Sequence, residues 1–395
     1  MSEFFRRTWA EVSLDAIDHN FKMIRRQIHP KTMICCVIKA DAYGHGAEIL
    51  AREYVKLGTD WLAVSNLEEA IQIRNAGVTC PMLILGYTPP GLAAQLSDLN
   101  ISQTVLSEEY GELLSREAQK AGATVRVHLK VDTGMSRIGF LYQDPVRDAR
   151  EIDAMERVCR LPSLDAEGIF THFAVADEGE SGRDYTMMQY GNLMNAMELL
   201  QKRGIVFRIR HCANSAAILD YPETQLDMVR PGVILYGLNP SGTLMHPMNF
   251  LPAMELKSIV SLVKTVEPQT SVSYGRAFVT KAPTKIATVP IGYADGYPRR
   301  LYEKGSMLVR GQKVKIIGRV CMDQLMLDVT SVADVREGDV VTVFGRDGDA
   351  KITLDELAGY AQTIHYELIC MISKRVSRIY YKNGKEVGEL NYICK

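Results

Sequence analysis

Met33-Ile34-Cys35-Cys36-Val37-Ile38-Lys39-Ala40-Asp41-Ala42-Tyr43-Gly44-His45-Gly46 decides how the rest of this chain is read. Its first six residues are apolar without interruption, and such a run bounded by turn residues predicts a strand buried on both faces. Lys39 stands where the strand runs out, and a helical pattern begins after Gly46. Held against an apolar layer, a lysine loses part of its solvation, its pKa falls, and its amine becomes the nucleophile that Schiff-base chemistry needs. The plain alternative is a strand-end lysine whose ammonium reaches water. Its neighbours favour a site: Tyr43 offers a hydroxyl, and Gly44 and Gly46 let backbone approach a ligand closely.

Working outward, strand-like runs recur at 61–64, 82–85, 102–105, 125–130, 166–170, 206–210 and 227–229. Helical patterns such as Ala47–Leu57, Leu67–Ala76, Glu108–Ala121 and Tyr185–Lys202 lie between them. This alternation predicts an α/β chain that opens with a (β/α)8 TIM-type barrel. A doubly wound open sheet alternates in the same way, but no Gly-x-Gly-x-x-Gly follows an early strand, which disfavours its dinucleotide-binding form. The character changes after Asn239-Pro240-Ser241-Gly242. Met254–Val266, Ile286–Pro290, Met307–Val309, Val314–Ile317, Leu325–Val329 and Val340–Val343 then read as strands separated by turn signals. Thr353–Ala361 reads as a helix with Thr353 as N-cap and Glu356 at capping-box spacing. The expected division is a barrel domain at 1–245 and a mostly-β domain at 246–395, with residues 1–10 a candidate to pair with the second.

Composition narrows the function. A net charge of −1 shows no basic excess for nucleic acid or an anionic membrane surface. No apolar run approaches membrane-spanning length, and the first residues lack the apolar core of a signal peptide, so the expectation is a cytoplasmic protein. The eight cysteines form no Cys-x-x-Cys pair and the eight histidines no i, i+4 pair, so neither a disulfide framework nor a metal site is expected.

Val37-Ile38-Lys39-Ala40-Asp41-Ala42-Tyr43-Gly44-His45-Gly46 resembles the pyridoxal-phosphate motif of bacterial alanine racemases, with Asp41 where the family more often has Asn. Nearly the whole chain shares in the resemblance, which implies a barrel followed by a mostly-β domain. It further implies an enzyme that interconverts L- and D-alanine for peptidoglycan, with pyridoxal 5'-phosphate carried on Lys39. In a barrel, functional residues belong at strand C-termini, and phosphate belongs by the last two loops. Ser215, Gly232 and Val233 lie there, beside Asn214, and the family adds the phenols of Tyr43 and Tyr366. A helix cap is the ordinary reading of Ser215.

Arg230 carries the mechanistic weight. Arginine cannot lose its proton, so facing a pyridine nitrogen it only donates, and the ring stays a weaker electron sink. That suits removal and return of one proton better than transamination. The resemblance implies two bases, Lys39 on one face and Tyr274, in Val272-Ser273-Tyr274-Gly275-Arg276, on the other. His172 and Arg230 are implied partners of Tyr274, which in the family comes from the other subunit of a homodimer. Without the flanking match, Tyr274 reads as a cross-strand aromatic. Arg137 and the Met322 backbone N–H are implied holders of the substrate carboxylate, and 291–297 is implied to line the entrance. Some relatives carry a CO2-derived carbamate on the lysine matching Lys130; the alternative is a simple pairing of Lys130 with Asp132. Tyr366 leaves little room beyond a methyl, which favours alanine over a serine or broad-specificity amino-acid racemase. His365 stands where the family usually has Asn. A non-catalytic carrier of the same cofactor would lack the second domain, and a decarboxylase would need an acidic residue in place of Arg230.

Overall fold

The computed structural model describes residues 6–394 and divides into two compact units. One comprises residues 16–42 and 47–251; the other comprises residues 6–15, Tyr43–Gly46 and 252–394. Strand β1 (Thr8–Ser13) belongs to the second of these.

In the first unit, β2 (Met33–Val37), β3 (Trp61–Val64), β4 (Met82–Ile84), β5 (Ile101–Val105), β6 (Val125–Asp132), β8 (Leu164–Phe170), β9 (Ile209–His211) and β10 (Met228–Val229) pair in parallel in the order β10-β2-β3-β4-β5-β6-β8-β9. A two-residue β7 (Phe140–Leu141) extends β6. The ring is brought nearly closed where Asp227 N–H donates to the Arg210 carbonyl at 3.1 Å and Arg230 N–H to the Ala213 carbonyl at 2.9 Å. This is a (β/α)8 barrel, and the open-sheet alternative is set aside. Its connecting helices are α1 (Leu14–Gln27), α2 (Ala47–Leu57), α3 (Leu67–Asn75), α4 (Ala93–Asp98), α5 (Glu108–Lys120), α6 (Arg150–Cys159), α7 (Arg183–Lys202) and α8 (Ser215–Asp220).

Local chemistry starts these helices where it does. Asn66 Oδ1 accepts from Glu69 N–H at 2.9 Å and Ser107 Oγ from Tyr110 N–H at 3.2 Å, each satisfying a donor that the helix itself cannot. The β3 strand is buried throughout, as its unbroken apolar run requires. One expectation is corrected: the strand beginning at Val125 continues to Asp132, so Lys130 lies inside it and not at its end.

The second unit is mostly β. Its larger sheet has the order β17-β16-β19-β11-β1-β21-β22, from β17 (Gln312–Lys315), β16 (Ser306–Val309), β19 (Val340–Asp347), β11 (Met254–Ile259), β1, β21 (Ser377–Lys382) and β22 (Lys385–Leu390), with β20 (Ala350–Ile352) on β19. A second sheet joins β12 (Leu262–Val266), β15 (Thr284–Val289) and β18 (Leu325–Asp328), and β13 (Ser271–Val272) pairs with β14 (Phe278–Val279). The run 254–266 is therefore two strands. β11 alternates buried and half-buried residues, whereas β12 is mostly exposed, and the chain changes sheets between them. Thr353 Oγ1 caps α9 (Leu354–Ala361) by accepting from Glu356 N–H at 3.1 Å, and α10 (His365–Met371) follows. No helix among the described residues is long and apolar enough to cross a membrane.

Candidate active site

Lys39 follows β2 by two residues and is half-buried, directly after the buried Ile38. The next four residues are all left-handed: Ala40, Asp41, Ala42 and Tyr43 have φ of 50°, 56°, 53° and 53°. Each such non-glycine residue costs about 1 kcal/mol or more, so the turn must be held by its surroundings. Glu69 does part of this, accepting from Ala40 N–H at 2.8 Å and from Ser65 N–H at 2.7 Å. Asp41 does more, because its Oδ1 accepts from Ala47 N–H at 2.8 Å and starts α2. That job needs an acceptor oxygen and tolerance of the left-handed region, which Asp and Asn share.

Tyr43–Gly46 group with the mostly-β unit. A Cβ on Gly44 would sit 2.2 Å from the Ile369 carbonyl oxygen, and one on Gly46 would sit 1.9 Å from Tyr380 Oη, so neither glycine is replaceable without moving backbone or ring. Arg378 Nε donates to the Gly44 carbonyl at 2.9 Å and Tyr380 Oη to the His45 carbonyl at 2.8 Å. Tyr43 packs against Tyr366 with ring centroids 6.2 Å apart, and His365 stacks on Tyr366 at 4.8 Å. Burial pushes the Tyr43 phenol up, which keeps it a hydrogen-bond donor.

In the barrel, Ser215 Oγ accepts from Gly232 N–H at 2.8 Å, tying the start of α8 to the turn that opens the short helix Val233–Tyr236. Asn214 Oδ1 caps α8 by accepting from Ala217 N–H at 3.0 Å. The remaining N–H groups of a first helical turn have no partner within the helix, the usual setting for an anion.

Arg230 is 4% exposed. Its Nη1 donates to His211 Nδ1 at 2.8 Å, and its Nη2 donates to the Thr171 carbonyl at 2.9 Å, the Cys212 carbonyl at 3.1 Å and His172 Nδ1 at 3.4 Å. Its Nε–H is used by none of these. Burial pulls its pKa down to about 10, still far above neutral, so it stays charged. Burial, with Arg230, Lys130, Arg137 and Lys39 nearby, keeps His172 well below the usual imidazole value and therefore neutral.

Lys130 is 3% exposed, over the Phe170 ring at 5.2 Å, and burial assisted by Arg230 lowers its pKa to about 7. The simple pairing with Asp132 is not made. The Asp132 carboxylate instead accepts backbone N–H groups from Gly134, Met135, Ser136 and Arg137 at 2.9 to 3.1 Å, shaping the turn that carries Arg137. The Arg137 guanidinium is exposed and makes no ion pair among the described residues.

The mostly-β unit holds the remaining residues. Tyr274 is 68% exposed and sits on a tight turn, not in a strand, so the cross-strand reading is corrected. It borders a cavity of about 340 Å³ together with Lys264, Val272, Cys321 and Met326. Met322 is half-exposed, and its N–H donates to no group among the described residues. Its position is set by 291–297: Ala294 N–H donates to the Met322 carbonyl at 3.0 Å and Tyr293 N–H to the Cys321 carbonyl at 3.1 Å. Asp295 Oδ2 in turn accepts from Gly292 N–H at 3.0 Å, and Arg7 pairs with Asp295.

Family models for the alanine racemase N-terminal domain and C-terminal domain match residues 12–240 and 253–380. The chain belongs to the alanine racemase family. An alanine racemase of Methanococcus maripaludis is 46% identical over 374 residues, covering 94% of this chain and 98% of the relative. The solved alanine racemase of Clostridium difficile 630 superposes with a TM-score of 0.93 at 39% identity, covering 98% of this chain and 99% of that one. A histidine racemase of Leuconostoc mesenteroides superposes with a TM-score of 0.83 at 32% identity, covering 95% and 98%.

Within this alanine racemase framework, the barrel brings Arg230 and His172 into contact, and Ser215 into contact with Gly232. Several residues that shape the site have roles that the sequence pattern does not assign. Asp132 had a signal, since Asp before Thr-Gly favours a turn in which the carboxylate collects backbone N–H groups. Glu69 had none: it is one of two acidic residues in a first helical turn. His128 and His211 stand out only as polar residues in otherwise apolar strands.

Proposed function

We propose that this chain interconverts L- and D-alanine with pyridoxal 5'-phosphate carried on Lys39. The donor set fits that cofactor. Ser215, Gly232 and Val233, with Tyr43 and Tyr366, would hold a phosphate, and Arg230 would hold an unprotonated ring nitrogen. When bound, the cofactor supplies the electron sink for charge left at the α-carbon. Arg230 is the observation that carries the reading. A buried guanidinium surrounded by neutral acceptors can donate to a ring nitrogen and cannot protonate it, which favours simple proton exchange.

Lys39 serves one face of the α-carbon and Tyr274 of a second copy of the chain the other. A phenol starts near a pKa of about 10 and needs stabilisation to act as a base at neutral pH. His172 is set up to provide it. Because Arg230 donates to its Nδ1, the neutral ring carries its proton on Nε2 and can donate that proton to a phenolate. Arg137 and the Met322 N–H would orient the substrate carboxylate. A neutral Lys130 amine is the form that takes up CO2, and the resulting anion would lie beside Arg137. The functional division is a cofactor-binding barrel at 1–245, apart from β1 and Tyr43–Gly46, which group with the other unit, and a domain carrying the second base at 246–395. The enzyme is expected to work as a cytoplasmic homodimer supplying D-alanine for peptidoglycan.

The histidine racemase likeness supports keeping a broader amino-acid racemase as the second reading. Chiral product analysis after incubating cofactor-loaded protein with L-alanine and with L-serine tests both. D-alanine formation well above D-serine formation supports the first reading, comparable rates support the second, and no product from either removes both.

A further inference from the structure

Barrel interiors are usually filled by branched apolar side chains. Here β5, β6, β8 and β9 instead send Ser102, His128, Glu167 and His211 into a buried cluster, and none of them has a place in the scheme above. The cluster starts at Arg230. No carboxylate lies within ion-pair distance of this buried guanidinium among the described residues; two carbonyls and two imidazole nitrogens receive its N–H groups. An isolated buried charge is costly and calls for a partner.

The arginine dictates how the next groups are protonated. A guanidinium has no acceptor, so His211 Nδ1 must accept, and the neutral His211 ring keeps its proton on Nε2. That Nε2 lies 2.9 Å from His128 Nδ1 and donates to it. His128 therefore also carries its proton on Nε2, which faces Glu167 Oε1 at 3.4 Å. This last contact is long for a hydrogen bond and draws on the carboxylate's charge. Ser102 Oγ donates to the same oxygen, and Arg208 approaches Oε2 at 3.4 Å from the surface. Every proton in the line points one way, from Arg230 to Glu167. Burial first, then the Arg230 charge, keeps His211 neutral. Burial alone would push the Glu167 carboxyl up, but the contact with His128 and the hydrogen bond from Ser102 outweigh it and keep Glu167 ionised.

Two backbone features make room for this line. The β6–β8 register shifts between Val127, opposite Ala166, and His128, opposite Gly168, so Glu167 is the extra residue of a β-bulge. Bulges re-aim a side chain. At Gly168 a Cβ would sit 2.3 Å from His128 Nδ1, so only glycine leaves space for that ring.

We propose that Glu167 is the counter-charge of Arg230, coupled to it through His211 and His128, and that this buried line sets how firmly Arg230 is held toward the cofactor ring. Glu167, His128 and Ser102 are then positioning residues, remote from the reacting atoms. The proposal rests on the reading that Arg230 faces the ring nitrogen.

The test replaces Glu167 with Gln, which keeps shape and an acceptor oxygen but removes the charge. In the Glu167→Gln enzyme kcat for L-alanine is expected to fall about tenfold while KM stays within about twofold, the pattern of a lost transition-state interaction. A second readout needs no turnover. In cofactor-free protein with 15N-labelled histidine, the Nε2–H proton of His211 should move upfield in Glu167→Gln, because the hydrogen bonds of a charged chain strengthen one another. An unchanged kcat overturns the proposal. So does a fall in kcat that tracks thermal stability while the His211 signal stays in place, because Glu167 then serves folding alone. If Glu167→Gln does not fold, Ser102→Ala, which leaves the carboxylate but removes its donor, takes its place. It is expected to shift the same signal and lower kcat about twofold to threefold, and no change in either measurement overturns the proposal. Wild-type protein that racemises no amino acid would remove the functional reading instead, leaving the NMR result to judge the line.

Discussion

Lys39 and Tyr274 are the two proposed bases, and each is followed or flanked by backbone that most residues avoid. Beyond Lys39 four non-glycine residues in succession are left-handed; around Tyr274, Ser273, Gly275 and Arg276 have φ of 67°, 67° and 50°. The two turns differ in what surrounds them. The first runs from the half-buried Lys39 and the exposed Ala40 to the buried Ala42 and Tyr43, and is held by Glu69 and by the Asp41 cap on α2. The second is held by one strong contact, Ser273 Oγ to the Arg319 carbonyl at 2.6 Å, and leaves the phenol open to solvent. A base that serves its own chain can be enclosed by that chain. On the proposed reading, a base that serves a second copy must be fixed in direction by its own backbone while its reactive end stays uncovered.

The comparison breaks most visibly if Lys39 is removed. Lys39→Ala is expected to lose the visible absorbance of bound cofactor and all measurable racemisation, because it removes the amine proposed to carry the cofactor; a surviving reducible linkage to protein would put the cofactor elsewhere. Tyr274→Phe is next, with net racemisation falling by roughly 10²–10⁴, the usual loss for one general base. In deuterated water this enzyme should still exchange the α-proton of D-alanine through Lys39 and should exchange L-alanine poorly. Equal exchange of both enantiomers would mean that the two turns do not divide the work by face.

Lys130 gives a pH test of the enclosed region. Its pKa is lowered to about 7 in the folded protein by burial and by Arg230, whereas an unfolded lysine titrates near 10.4. Between these values the unfolded chain binds more protons, so this residue makes stability rise with pH from about 7 to about 10, by at most a few kcal/mol. Urea unfolding in CO2-free buffer should show that slope, and Lys130→Met should flatten it. The smallest effect expected is at Tyr366. Tyr366→Asn should raise the serine-to-alanine ratio of kcat/KM by roughly tenfold, or about 1.4 kcal/mol of differential transition-state binding. An unmoved ratio would show that Tyr366 does not set substrate size.

Much of this fold is legible in the chain because barrel strands are short apolar runs between polar helices. Trp61–Val64 and Ala47–Leu57 fall where the pattern places them. The mostly-β unit is harder. Nothing in Met254–Val266 marks the change of sheet, because no glycine or proline interrupts the run. The β21–β22 hairpin was readable from Asn383-Gly384 but is absent from the sequence reading. At the site, motif residues were legible and their supports were not. That Arg230 would lean on Glu167 depends on a register shift between strands far apart in sequence, and no local pattern encodes such a shift.

The seat of Tyr43–Gly46 has a consequence for biosynthesis. Gly44 and His45 are held by Arg378 and Tyr380, which lie 334 and 335 residues later in the chain. A ribosome can therefore finish every strand of the barrel before the partners of those residues exist. Domains generally fold in order of synthesis, but here the loop that follows Lys39 stays without its seat until translation has passed residue 380. On the proposed reading, a nascent chain carries the reactive amine long before it has the complete loop around it, and loading of the cofactor is a late event in the making of this enzyme.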